Sequence, residues 1–241
     1  MNFLVFLWCT LALASSAYTI MLDAGHGGKD PGASGIYGLT EKSVSLMFSK
    51  DLAHALSAYD DVKILQTRRK DVFTRLSKRI ACARSHPIDL FISLHMDKGA
   101  EPQYRGISVY VQSKQSATHT IQSYVNDASK KNLLGGVSKS YKLSVASMVM
   151  QSSIDDSVAL GSLMLKRLAN KGYRLHNPRP ISRELFLFHQ HVPNMLIELG
   201  YISNKEDVAL MLDKRKRVEL AKTLAASVYE FLVKTRGDVE K

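Results

Sequence analysis

Cysteine is scarce in this sequence: of 241 residues only Cys9 and Cys82 carry a thiol. Cys9 falls in an apolar leader and Cys82 in the helical pattern RLSKRIACARS, so a chain that has shed its leader forms no internal disulfide. Cys82 then reads as a small buried hydrophobe. Charge is missing from the first 17 residues, and the apolar run there, Asn2 to Ala14, is too short for a comfortable membrane span. No internal repeat and no low-complexity window appears. With 45% hydrophobic residues the chain can fill one core, which favours one domain and allows at most two. Aromatic residues are absent from the longest basic run, Lys214–Arg217, which is flanked by Asp213 and Glu219 in a helical pattern. That run is read as a solvated helix face, not as a nucleic-acid site.

The leader itself is informative. NFLVFLWCTLALA is followed by the small residues Ser15, Ser16 and Ala17, the pattern of a signal peptide cut after Ala17. A positive n-region is missing apart from the chain amine, and the alternative is an N-terminal core strand or a retained anchor. Trp8 before Cys9 is too large for the usual lipoprotein processing site. The remainder carries the whole excess of charge, 33 Lys and Arg against 22 Asp and Glu. A basic exported protein is attracted to anionic envelope surfaces, and a periplasmic location is expected.

Strand and helix patterns alternate along residues 18–241. Strands are expected at 18–23, 62–66, 89–95, 106–112, 184–188 and 195–199. Helices are expected from Thr40 to about Ala58, over 73–85, over 155–170, and over 205–235 with a break near Asp213. This order predicts an α/β fold, three layers around a six-stranded, mostly parallel sheet. Residues 113–183 lack a convincing strand and are far longer than an ordinary connection, so a helical insertion with a function is expected there.

Ligands of open α/β sheets gather at the carboxyl ends of the strands. Strand one runs into His26, strand three ends in His95, the last strand ends in Glu198, and Glu41 opens the first helix. Two imidazoles and two carboxylates on one rim have the composition of a hydrolytic zinc site, three ligands and a general base. Plain structural readings exist beside this one: His26 as a loop histidine, Glu41 as a charge favoured at a helix N-terminus, His95 as a satisfied core histidine. Glu198 resists such a reading, because it follows Met195-Leu196-Ile197 in a strand that should be buried. Spacing adds little. Fourteen residues separate His26 from Glu41 and fifty-three separate Glu41 from His95, with no HExxH signature.

The segments TIMLDAGHGGKDPGASG, LTEKSVSL, QTRRKDVFTRLSKRIACA, DLFISLHMD, RGISVYV and PNMLIELGYISN, in that order, resemble the zinc-dependent N-acetylmuramoyl-L-alanine amidases of the third amidase family. The resemblance implies zinc held by His26, Glu41 and His95, with Glu198 as the catalytic residue. It implies hydrolysis of the amide between N-acetylmuramic acid and L-alanine in peptidoglycan, in the service of daughter-cell separation. It also implies a catalytic domain over 18–241, acting as a monomer, and an activator protein that displaces the 113–183 insertion. Two rivals stand beside it: a zinc peptidase acting within the stem, and a catalytically dead envelope-binding module. The family's usual Ala-Asn after the third ligand is replaced here by Met96-Asp97. Relatives place a glutamate from the insertion on the zinc. No glutamate occurs between Pro102 and Arg183, and Asn126 or a neighbour stands where it would be. Two outcomes are therefore expected, Asp127 or water at the fourth zinc position with weaker closure of the site, or a helix that blocks the cleft without touching the metal, and with them appreciable basal activity.

Overall fold

The computed structural model describes residues 18–101, 103–114, 121, 138–184 and 192–237. The expected leader 1–17, and Asn126 and Asp127 of the insertion, lie outside the described residues. Six strands form one sheet: β1 Tyr18–Ala24, β2 Val62–Gln66, β3 Leu90–Asp97, β4 Ser108–Gln112, β5 Ile181–Arg183 and β6 Asn194–Tyr201. Their order is β2-β1-β3-β6-β4-β5. Every neighbouring pair is parallel except β4 with β6, so the expected six-stranded, mostly parallel α/β sheet is present. The helices are α1 Glu41–Leu56, α2 Leu76–Arg84, α3 Lys139–Asn170, α4 Lys205–Leu212 and α5 Lys214–Gly237.

Side chains alternate across a strand, and paired residues share a face. On one face Ile20, Leu22, Leu90, Ile92, Leu94, Met96, Met195, Ile197, Leu199, Val109 and Val111 are shut from solvent and join one cluster with α1, α3 and α5. The other face pairs Asp23 with Ser93, His95 with Glu198, and Glu198 with Ser108. Its apolar part is smaller: Met21, Phe91 and Leu196 meet Ala83 and Cys82 of α2.

Two expectations need correction, and one described strand was not anticipated. The fifth described strand is Ile181–Arg183, pairing Tyr110–Gln112, a segment not read as a strand from the sequence. Glu184 is outside it, and 185–188 lie outside the described residues. Register here is set by the β4 partner; a three-residue edge with polar Ser182 and exposed Arg183 carries no periodicity to read. Helix α3 starts at Lys139, well before 155. Serines obscure its first half, yet Ser144 and Ser147 turn their hydroxyls back onto the carbonyls of Ser140 and Leu143. Ser138 caps it by accepting from the Tyr141 amide. The second half of α3 is core: Leu160, Met164, Leu165 and Leu168 are fully buried in the main cluster. Residues 155–183 are thus built into the domain, whatever 115–137 do.

The break near Asp213 is present, and Asp213 caps α5 by accepting from the Arg215 and Lys216 amides. The basic run is only partly a solvated face. Lys214, Arg215 and Lys216 are partly or fully exposed, whereas Arg217 is buried and bonds Asp51 and the Met211 carbonyl. Among the described residues no helix is long and apolar enough to cross a membrane.

Candidate metal centre

The chain leaves β1 at the carboxyl edge. Gly25 still donates to the Leu94 carbonyl, and His26 then takes φ 59°, in the left-handed region. For a residue with a Cβ this costs on the order of 1 kcal/mol and persists only where the surroundings enforce it. Glycine is needed next to it on steric grounds. A Cβ on Gly25 would lie 2.4 Å from His95 Cε1, and one on Gly32 would lie 2.6 Å from both Glu41 Oε2 and His26 Cδ2. The glycine-rich loop is therefore wrapped against the three side chains.

Glu41 is the first residue of α1, behind Thr40 at the N-cap position, although the Thr40 hydroxyl makes no capping bond. The carboxylate enters a nearly closed space. Its Oε2 accepts from the Ala33 amide at 2.9 Å and faces His26 Nε2 at 3.0 Å. Its Oε1 faces His95 Nδ1 at 2.7 Å. One potential ligand atom from each of His26, Glu41 and His95 lies within 4.8 Å of the others. The two imidazole rings meet edge-on, with centroids 5.2 Å apart. At such distances each nitrogen–carboxylate contact needs a proton or a cation between the facing lone pairs. Two imidazoles and one carboxylate converging in this way suit zinc, leaving a fourth position for water or substrate.

Electrostatics agree with that reading of the cluster. The hydrogen bond to Glu41 holds the His26 pKa above its ordinary value, against burial, and Asp30 adds to it. Burial pushes the Glu41 carboxyl up, but the bonds from His26 and His95 outweigh it and hold the pKa well below the usual carboxylate range. Asp30 Oδ2 lies 2.9 Å from His26 Nδ1, which fixes the ring so that Nε2 points toward Glu41.

Glu198 stands beside this trio, directly paired with His95 across β3 and β6. Its Oε2 is buried and has no hydrogen-bond partner among the described residues, and the same holds for Ser108 Oγ on the strand beyond. Burial raises the Glu198 pKa well above the ordinary glutamate value, and the charges of Glu41 and Asp97 add to the rise. A buried carboxyl oxygen left without a partner is costly, and a group held this way is a candidate acid or base. All four residues singled out in the sequence are thus brought together. Met96 is fully buried in the apolar cluster, so its departure from the family pattern is a matter of packing. Asp97 instead adds its charge to the surroundings of Glu198 and Tyr201.

The sequence reading missed the support beneath the site. Asp23, fully buried, accepts from Thr67, Ser93 and Arg79. Arg68 and Arg79 reach under the turn that carries His26. Asp30, four residues after His26, was legible as a partner in GHGGKD. The buried arginines sit in an otherwise hydrophilic stretch and gave no such signal.

Residues 20–230 match the family described as N-acetylmuramoyl-L-alanine amidase. N-acetylmuramoyl-L-alanine amidase AmiC of Escherichia coli O6:H1 is 34% identical over 215 residues, covering 87% of this chain and 51% of the relative. AmiA of Escherichia coli K12 is 30% identical, covering 88% of this chain and 75% of the relative. The chain spans about half the length of several curated relatives it matches, AmiC among them. Among solved structures, an N-acetylmuramoyl-L-alanine amidase from Clostridium difficile 630 superposes with a TM-score of 0.69 at 19% identity, over 90% of this chain and 97% of that one. The CwlD amidase from Clostridioides difficile, solved in complex with the GerS lipoprotein, gives 0.65 at 20% identity, over 90% and 98%. Those structural likenesses establish the fold. Together with the sequence match across nearly the whole described domain, they show that the chain belongs to the N-acetylmuramoyl-L-alanine amidase family.

Proposed function

We propose that this chain is a zinc-dependent amidase that hydrolyses the bond between the lactyl group of N-acetylmuramic acid and L-alanine in peptidoglycan. The observation that carries the reading is the convergence of His26, Glu41 and His95 within ligand distance beside Glu198, whose Oε2 is buried without a hydrogen-bond partner among the described residues. His26 and His95 each offer an imidazole nitrogen and Glu41 a carboxylate oxygen as zinc ligands. Held by these three residues, zinc would supply Lewis acidity toward the scissile carbonyl and the attacking water. Glu198 accepts the proton of the attacking water on its carboxylate and returns it to the leaving amine of L-alanine. Its raised pKa suits a group that must do both. Asp30 keeps His26 oriented, and the glycine loop lets the three ligands approach.

The test is a muropeptide digest with zinc content measured on the same protein. The expected result is one zinc per chain, intact glycan and a newly freed L-alanine amino group. Cleavage within the stem would favour a peptidase; absence of both zinc and cleavage would favour a binding module. Export to the periplasm with a mature start near Tyr18, and a role in daughter-cell separation, follow from the leader pattern and the family. N-terminal sequencing of envelope protein checks the first.

Regulation through the insertion belongs to the same reading. CwlD has a lipoprotein partner in its solved complex, and a partner acting on 113–137 is proposed for this chain. Lacking a glutamate there, the enzyme should show basal activity in dye release from labelled peptidoglycan. Because 155–183 supply core, the informative deletion is 115–137. A silent full-length enzyme with a strongly active deletion would overturn the expectation of basal activity.

A further inference from the structure

The segment QTRRKDVFTRLSKRI supplies no ligand and no proton-transfer group, yet two of its arginines are nearly fully buried. Arg68 and Arg79 retain 3% and 5% exposure. Five of their nine hydrogen bonds among the described residues run to backbone carbonyls of the segments that present His26 and Glu41. Arg79 donates through Nη1 to the Ala24 carbonyl at 2.6 Å and through Nη2 to the carbonyl of His26 itself at 2.5 Å. Arg68 donates through Nε to the Ala24 carbonyl at 2.9 Å. Its Nη2 reaches the Gly25 carbonyl at 2.7 Å, the Lys42 carbonyl at 2.9 Å and Ser45 Oγ at 3.1 Å. Ser45 Oγ donates in turn to the Gly25 carbonyl at 2.8 Å. One guanidinium therefore joins the turn that carries His26 to the first turn of the helix that carries Glu41.

We propose that Arg68, with Arg79, is a positioning residue for the metal centre, setting the separation of His26 from Glu41 by collecting the carbonyls of both ligand-bearing segments. The inference rests on the reading of His26, Glu41 and His95 as metal ligands. Charge alone does not account for the arrangement. A buried cation beneath a metal site opposes the metal electrostatically. Asp23 pairs with Arg79, whereas among the described residues Arg68 bonds only carbonyls and a hydroxyl. What a guanidinium offers is a planar fork that bonds several fixed acceptors at once, which an ammonium does not reproduce. The left-handed conformation of His26 needs an external hold, and its own carbonyl is one of the atoms held.

The experiment measures zinc affinity of the full chain by chelator competition, and the visible absorption of the cobalt-substituted protein, for wild type and for Arg68→Gln, Arg68→Lys, Ser45→Ala and Met164→Ala. Supporting groups behind metal ligands typically change affinity by roughly ten- to a hundredfold. Arg68→Gln and Arg68→Lys should weaken zinc by that factor and alter the cobalt spectrum. Ser45→Ala should weaken it by less, in the same direction. Met164 lies in the main core on α3, so Met164→Ala should lower the melting temperature without moving either readout. Native affinity and spectrum in Arg68→Gln, or full recovery in Arg68→Lys, would overturn the proposal. Should the Arg68 variants not fold, an unchanged Ser45→Ala would overturn it. His95→Ala separates the two readings. A wild type that binds zinc independently of His95 sinks the site, and this inference with it. A site that depends on His95 but ignores Arg68 sinks this inference alone.

Discussion

The two faces of the sheet are both buried but are built from different chemistry. On the α1–α3–α5 side every inward residue of β3 is apolar, Leu90, Ile92, Leu94 and Met96, each fully shut from solvent. On the other side the same strand offers Phe91, Ser93 and His95, and its neighbours offer Asp23, Asn194, Glu198 and Ser108. One-residue alternation along β3 thus divides stability from chemistry. Burial on the first face is rewarded by the hydrophobic effect. Burial on the second is costly for each polar group until a partner is found, and Glu198 Oε2 and Ser108 Oγ have found none among the described residues.

The sharpest way to break this comparison is to remove a donor from the polar rim. His26→Ala and His95→Ala should each abolish both zinc retention and amide hydrolysis while the protein still unfolds cooperatively. Metal analysis and circular dichroism on the same samples check this. Full zinc occupancy in the double variant would mean the ligands are elsewhere.

Next in size is Glu198→Gln, which should retain zinc and lose on the order of a hundred- to ten-thousandfold in turnover, since an amide cannot accept the proton. Steady-state rates on labelled peptidoglycan decide it, and a near-normal rate would place the base on another group.

The apolar face should answer in the opposite sense. Leu94 is next to His95 yet points into the main cluster. Leu94→Ala should cost about 2–5 kcal/mol of stability and leave the folded protein with one zinc per chain. Denaturant unfolding with parallel metal analysis measures both. A Leu94→Ala protein that is stable but loses zinc would mean the two faces are not separable.

This division also explains what the sequence disclosed. Strands β1, β3 and β6 are buried on both faces and read as apolar runs, and the rim residues follow from where those runs stop. The strand Ile181–Arg183 is not legible in the sequence because it owes its place to the register of Tyr110–Gln112, which only the folded sheet supplies. Topology places His26 and Glu41 on one rim; the 3.0 Å contact between them rests on the close approach allowed by Gly25 and Gly32 and on two carbonyl-gathering arginines. Arginine among other charged residues carries no periodicity, and its acceptors are main-chain atoms that exist as a set only after folding. The same limit hid the length of α3, whose serines satisfy themselves within the helix.

The smallest expected effect is on stability, and it comes from the same carboxyl proposed to act as the base. Burial and the neighbouring charges of Glu41 and Asp97 raise the Glu198 pKa in the folded protein, while the unfolded chain titrates near the ordinary value of about 4.3. Below that value both states hold the proton, and the group's contribution is fully present. As pH rises above it the unfolded state ionises first, so stability falls by about 1.4 kcal/mol per pH unit until the folded pKa is reached. Glu41 has the opposite sign, its lowered pKa contributing stability that is lost on acidification, but it is common to both proteins compared. In metal-free protein Glu198→Gln should therefore melt higher than wild type at neutral pH, by roughly 3–6 °C for each pH unit of the interval crossed. The two curves should converge toward pH 4. Zinc should narrow the gap, since a nearby cation favours the carboxylate. Melting temperatures of chelator-treated protein across pH 4–8 provide the measurement. A gap that is constant with pH would mean that Glu198 is not a neutral buried acid on the polar face, and that Gln merely packs differently there.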